Sequence, residues 1–256
     1  MTDTEEAYRL ASPDTNCYVP LSGGLESLWG LKYAMSHPDL VPIAAHWYDE
    51  TWGKQFADAS LFYAKKQAEY FGVPFGWDSS SFQSNEIPTK YPIPVFFSGM
   101  SAFMAQSMAE PKGIKFKYIL SPANAEDRQE LPVYYRPYRK NIAMYKSRAW
   151  DGTAITWESL RETPLLIEPG TMLTKVEMTA MLMQSDPNVM PYVWTCFHPA
   201  ALKVDDEITG YKACGKCRKC LELDNALNVA EEANQRYTAG MEYYAKFRRH
   251  KNKIRN

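Results

Sequence analysis

A short apolar run that ends in Ser-Gly-Gly and passes directly into residues of helical spacing constrains this chain more than any other feature. The stretch is NCYVPLSGGLESLWGLKYA, residues 16–34. CYVPL (17–21) reads as a strand, and residues 26–35 read as a helix with Leu28, Leu31 and Met35 on one face. A tight strand-to-helix turn leaves backbone N–H groups without partners at the helix start, and these groups together with the helix dipole favour an anion. Gly23 and Gly24 allow the backbone to approach that anion closely, and Ser22 and Ser27 add hydroxyl donors. The loop lacks the Lys-Ser/Thr of a Walker loop and the G-x-G-x-x-G of a dinucleotide fingerprint. Read alone, it is equally a serine-capped glycine turn.

The flanking sequence predicts an α/β fold. LVPIAAHWY (40–48), VPFGWDS (73–79) and IKFKYILSP (114–122) read as strands. ASLFYAKKQAEYF (59–71), stopped by Gly72, and FFSGMSAFMAQSMAE (96–110), stopped by Pro111, read as helices. This alternation predicts a mostly parallel, twisted sheet flanked by helices, with right-handed crossovers and a ligand site beyond the carboxyl ends of the strands. Ser22-Gly23-Gly24 lies at that edge. The chain has 256 residues and a net charge of −1, which gives no global field toward nucleic acid or membrane. No apolar run nears the ~20 residues of a membrane span, and the acidic start MTDTEEAYRLASPD does not resemble a signal peptide. A cytoplasmic protein is the expectation, with no membrane contact. In that setting five cysteines point to metal or catalysis rather than disulfides.

Four of them, Cys196, Cys214, Cys217 and Cys220, have the spacing C-x17-C-x2-C-x2-C. Such a set converges on one ion, and four thiolates suit structural Zn²⁺; an Fe–S cluster is the other group it takes. His198 is an alternative ligand. Lys212, Lys216, Arg218 and Lys219 offset the charge of the thiolates. GYKACGKC (210–217) nearly matches a Walker loop, but a thiol at its end is a poor Mg²⁺ ligand, and the metal reading accounts for these residues better. Cys17, inside the first strand, reads as a small buried residue.

Ser22-Gly23-Gly24-Leu25-Glu26-Ser27 resembles the S-G-G-x-D-S loop of the PP-loop, or N-type, ATP pyrophosphatases. With the later W-T-C (194–196), CGKCRKCLELDNAL (214–227), LSPANAEDR (120–128) and PLLIEPGTMLTKVEM (164–178), the chain resembles the 7-cyano-7-deazaguanine (preQ0) synthases, the QueC family. The likeness covers residues ~16–230. It implies a PP-loop domain over 1–230, with the four-cysteine zinc site at about 190–225, and a C-terminal helix and basic tail over 231–256. It implies ATP and Mg²⁺ as well as Zn²⁺. The substrate is a purine-like carboxylate, 7-carboxy-7-deazaguanine, which ammonia converts to the amide and then the nitrile through an acyl-adenylate.

Ser22, Gly23, Gly24, Leu25 and Ser27 are then expected to hold pyrophosphate. Glu26 stands where the family has Asp and is expected to help place Mg²⁺. Lys175 is a candidate phosphate contact, Asn124 and Asp127 are candidates for the base, and Arg128, Arg136 or Arg139 for a carboxylate or phosphate. Tyr134, Tyr135 and Tyr138 are either packing or a base stack. The segments WYDETWGK (47–54), IPVFFSGM (93–100) and EDRQELPVYYRPYR (126–139) depart from the family pattern. Three other readings stay open: a synthetase that stops at the amide, a PP-loop tRNA-modifying enzyme, and a zinc-stapled nucleotide-binding module without catalysis. A homodimer and a separate ammonia donor are compatible with the sequence, and a nucleic-acid partner is not expected. The basic end, 243–256, reads as a solvated helix terminus.

Overall fold

The computed structural model describes residues 12, 14–48, 50, 53–79, 114, 116–120, 124–125, 165–167, 169–170 and 172–253, and the side chains of these except 78–79, 165–167 and those beyond 235. Five parallel strands form the sheet: β1 (Cys17–Pro20), β2 (Pro42–Tyr48), β3 (Phe75–Ser79), β4 (Tyr118–Leu120) and β5 (Leu165–Ile167). Their order is β3-β2-β1-β4-β5, so the chain winds outward in one direction from β1 and then returns to its other side. The point of reversal lies between β1 and β4. In open α/β sheets a ligand sits in the crevice at that point, at the carboxyl ends of the strands.

Helices α1 (Leu25–Ser36) and α2 (Lys54–Phe71) follow β1 and β2. Leu31 and Ala34 of α1 and Ala64 and Ala68 of α2 pack with Cys17, Val19 and Leu21, Ala44 and Leu120 in one buried cluster. Tyr18, Ile43 and Ile119 are aligned across three strands and almost fully buried, so the opposite face of the sheet is covered too. Burial on both faces is why these strands are continuous apolar runs rather than alternating ones. Cys17 is part of this core, and burial pushes its thiol up to about 12, which leaves it unreactive.

Helix α2 begins five residues before the expected start at 59. Its buried face is Ala57, Ala59, Ser60, Ala64, Gln67 and Ala68, a strip of small and polar residues rather than an apolar stripe. Helix α3 (Lys175–Ser185) starts with a complete capping box between Thr174 and Glu177. A 3₁₀ turn, Pro187–Tyr192, follows it and leads into Trp194. Leu25, Leu28 and Trp29 of α1 pack on Met178, Leu182 and Val189.

A separate antiparallel hairpin, β6 (Ala200–Val204) and β7 (Glu207–Lys212), turns at Asp205-Asp206, both with positive φ (50° and 65°). Residues 205–209, which precede the near-Walker stretch 210–217, therefore form a tight turn and an exposed strand end rather than the buried strand a Walker loop follows. Helix α4 (Arg218–Lys253) runs unbroken from the cysteine segment. The expected helix over 96–110, the tyrosines at 134, 135 and 138, and Arg139 lie outside the described residues.

Candidate functional site

The glycine loop sits at the strand reversal and is built from both sides. Leu21 N–H donates to Ala45 O at 2.7 Å, which continues the β1–β2 ladder to the loop's first residue. Ser22 and Ser27 then close the loop: Ser22 N–H donates to Ser27 Oγ at 3.1 Å, the two hydroxyls are 3.0 Å apart, and Ser27 Oγ–H donates to Gly24 O at 3.1 Å. Gly24 N–H donates to Ser22 Oγ at 3.2 Å.

Gly23 and Gly24 serve different ends. Gly23 has φ +80°, and a Cβ there would lie 2.9 Å from the Ser60 carbonyl oxygen and 3.3 Å from Ala64 N. It lets the loop lie against the small-residue face of α2. Gly24 is extended (φ −77°, ψ 171°), and a Cβ there would meet nothing nearer than Ser22 Oγ at 3.2 Å. As the residue capping α1, Gly24 offers no side chain to the first helical N–H groups. These N–H groups have no intrahelical acceptor by the geometry of any α-helix. Helix α3 carries a complete capping box, whereas α1, like α2 behind Gly53, has no side-chain cap. The Leu25 side chain is buried core, so its contribution to an anion is its N–H.

Several residues that sequence reading missed hold this loop. Gln67 donates from Nε2 to Gly23 O at 2.7 Å and to Tyr192 O at 2.8 Å. Trp194 N–H donates to Gly23 O at 2.8 Å, and Ser60 Oγ–H donates to Ser22 O at 2.6 Å. His46 donates from Nδ1 to Leu21 O at 2.8 Å; burial lowers its pKa to about 4, so the ring is neutral. With these carbonyls tied back, the loop's conformation is fixed before any ligand arrives.

Three of the sequence-selected residues converge at one place. Glu26 Oε1 accepts from Asn124 Nδ2 at 3.2 Å and pairs with Lys175 Nζ at 3.3 Å. Glu26 Oε2 is turned toward Gly24. Asn124 is fully buried. Lys175 is also 3.1 Å from Glu222 Oε2, a residue the sequence did not single out. Burial works against the Lys175 charge, but the carboxylates of Glu26 and Glu222 outweigh it and its pKa is raised. Burial likewise opposes the Glu222 charge, yet Lys175, Arg218 and Lys219 hold its carboxyl down to about 2. Lys175 and Glu222 are thus both charged at neutral pH. Asp127, Arg128 and Arg136 lie outside the described residues.

Beside it lies the cysteine cluster. The four sulfurs of Cys196, Cys214, Cys217 and Cys220 all lie within 4.8 Å of one another, with Cys217–Cys220 at 3.5 Å and Cys214–Cys220 at 3.9 Å. A tetrahedral ion with metal–sulfur bonds of ~2.3 Å needs sulfur separations of about 3.8 Å. A cubane cluster binds each cysteine to a different iron and spaces the sulfurs more widely. Backbone N–H groups of His198 and Cys214 point at Cys196 Sγ, and that of Cys217 at Cys214 Sγ. Such donors stabilise thiolates, and the N–H of Lys216 is the largest influence lowering Cys214 to about 6. His198 itself is exposed and contributes its N–H, not its ring. Trp194 stacks on Tyr63 of α2 at 4.7 Å and 4°, and Tyr63 OH donates to Tyr211 O at 3.1 Å, which fixes the cysteine unit to the sheet domain.

Fold and site together define an α/β protein with a Ser-Gly-Gly loop at its strand reversal and a cluster of four thiols, spaced to hold a metal ion, next to it. No protein-family model and no curated protein matches the chain. Among solved structures it is similar to the U34-tRNA thiolase NcsA from Methanococcus maripaludis, described with its [4Fe-4S] cluster. The two share 12% identity at a TM-score of 0.45, over 91% of this chain and 72% of that one.

Proposed function

We propose that this chain is an ATP pyrophosphatase of the PP-loop type, acting as a C–N ligase on 7-carboxy-7-deazaguanine with ammonia. The observation that carries this reading is the convergence of the Ser22–Ser27 loop with Glu26, Asn124 and Lys175 at the carboxyl end of β1, where the sheet reverses. The loop N–H groups and hydroxyls would hold the β and γ phosphates and take up charge as pyrophosphate leaves. Glu26 Oε2, turned to the loop, is the oxygen suited to a Mg²⁺ ion, which when bound would neutralise phosphate charge. Lys175, 3.3 Å from Glu26 Oε1, would hold that carboxylate in place and add a positive charge beside the loop.

No protein nucleophile is required, because the substrate carboxylate attacks the α phosphorus itself. Pyrophosphate leaves, ammonia displaces AMP from the acyl-adenylate, and the amide results. The amide oxygen then attacks the α phosphorus of a second ATP, a second pyrophosphate leaves, and loss of AMP and protons gives the nitrile. The four thiolates would hold Zn²⁺; sulfur separations near those of a single tetrahedral ion support zinc over a cubane.

The test is incubation with 7-carboxy-7-deazaguanine, ATP, Mg²⁺ and ammonium, with products followed by mass. The nitrile is the expected product. Amide alone would make the chain a synthetase that halts midway. Sulfur incorporation into tRNA, with no turnover of the carboxylate, would replace this substrate with the tRNA-modifying one.

A further inference from the structure

The cysteine centre and the glycine loop touch at two points, one from each end of the cysteine segment. Two residues before Cys196, Trp194 N–H donates to Gly23 O at 2.8 Å. Two residues after Cys220, Glu222 holds Lys175 at 3.1 Å, and Lys175 holds Glu26 at 3.3 Å. Glu222 is itself fixed by Arg218 at 2.6 Å and Lys219 at 3.4 Å, residues lying between Cys217 and Cys220 or adjoining them. Thr195 Oγ1–H donates to Lys219 O at 3.2 Å, which ties the two ends of the segment to each other. The metal-ready unit and the first turn of α1 are therefore joined by a short chain of charged and backbone contacts rather than by a linker.

We infer that Glu222 is a positioning residue that couples occupancy of the cysteine centre to anion binding in the glycine loop. When one ion draws the four sulfurs together, the first turn of α4 is fixed, Glu222 is fixed with it, and Lys175 and Glu26 are set for the loop. Coupling between two sites is reciprocal, so nucleotide in the loop must in turn retain the metal. This rests on the proposed nucleotide site and adds to it a role for the metal beyond stapling the fold.

The experiment follows zinc release from zinc-loaded protein to a chromophoric chelator, with and without Mg²⁺ and the non-cleavable α,β-methylene analogue of ATP. In the wild type the analogue is expected to slow release about five-fold or more, the lower end of the usual range of coupling in affinity, which is carried mostly by the dissociation rate. In Glu222→Gln, which keeps shape and loses charge, the ratio of release rates without and with analogue, at an analogue concentration that calorimetry shows to saturate the variant, is expected to fall to near one. Circular dichroism and the melting temperature of the variant establish that it is folded. Calorimetric titration of the analogue separates the two levels of failure. If it binds the wild type and zinc release does not change, or if Glu222→Gln retains the slowing, the coupling is overturned. If the analogue does not bind at all, the nucleotide site falls, and the coupling with it.

Discussion

Gly23 and Gly24 are adjacent, yet alanine at each is expected to fail in a different way. At Gly23 an alanine must hold φ near +80°, which costs ~1 kcal/mol for a residue with a Cβ. Its Cβ must also displace the Ser60 carbonyl, 2.9 Å away. That carbonyl belongs to the middle of α2 and cannot swing aside like a side chain, so overpacking adds about 1–3 kcal/mol. The sum, about 2–4 kcal/mol, corresponds to a fall in Tm of roughly 5–15 °C for a domain of this size. Gly72→Ala is the internal control: its φ is +65° but nothing lies within 4 Å, so only the backbone cost of ~1 kcal/mol applies. At Gly24 the backbone is ordinary and the nearest neighbour is a hydroxyl that can turn, so Gly24→Ala is expected to melt within a few degrees of wild type. What it loses is the space a phosphate would use. Loss of one charge-assisted backbone contact costs about 1.5–3 kcal/mol, roughly 10- to 150-fold in affinity for ATP. Thermal melts and calorimetric titration of the three variants read both effects. A Gly23→Ala protein as stable as wild type, or a Gly24→Ala protein that binds ATP unimpaired, would refute the division of labour.

Gln67→Met removes both amide donors, to Gly23 O and Tyr192 O, and is expected to lower urea-unfolding stability by about 1–2 kcal/mol, since Gly23 O keeps Trp194 N–H. His46 is buried neutral, with its pKa lowered from 6.5 to about 4. Between these values the unfolded chain binds the extra proton, so its contribution of about 3 kcal/mol is present above pH 6.5 and lost as pH falls toward 4; denaturant curves at pH 7 and pH 4.5 measure it, and His46→Leu is expected to flatten the difference. Elemental analysis is expected to find one zinc per chain in colourless protein, and Cys214→Ser to abolish stoichiometric binding; a brown protein with about four irons would replace the single ion with a cluster.

Strands β1 to β4, α1, the glycine loop and the cysteine set were legible because each is written in consecutive residues or fixed spacing; the three-residue β5 was too short to announce itself. What holds them together was not. Gln67 and Ser60 read as ordinary polar positions of a helix, and the buried face of α2 is made of alanines and serine, which leave no apolar stripe to detect. That same smallness lets Gly23 approach the helix backbone, so the feature that hides the helix face is the one that seats the loop. Lys175 and Asn124 were chosen by resemblance, but their meeting at Glu26 depends on β4 and α3 lying side by side with α1, which no local pattern encodes. Glu222 looks like an i,i+4 partner of Arg218 on a solvated helix, and it is that as well as the partner of Lys175. The Asp205-Asp206 turn lacks the Asn-Gly that announces a tight hairpin, so β6 and β7 escaped notice.

The central claim is that the loop binds ATP for cleavage between the α and β phosphates. Phosphorus NMR of ATP and Mg²⁺ with the protein, the deazaguanine carboxylate and ammonium reads the cleaved bond directly. AMP and pyrophosphate in equal amounts are expected, with both signals reduced at least about ten-fold in Gly24→Ala at sub-saturating ATP. ADP and inorganic phosphate would contradict the account, because cleavage at the γ phosphate needs a different loop and a different fate for the charge.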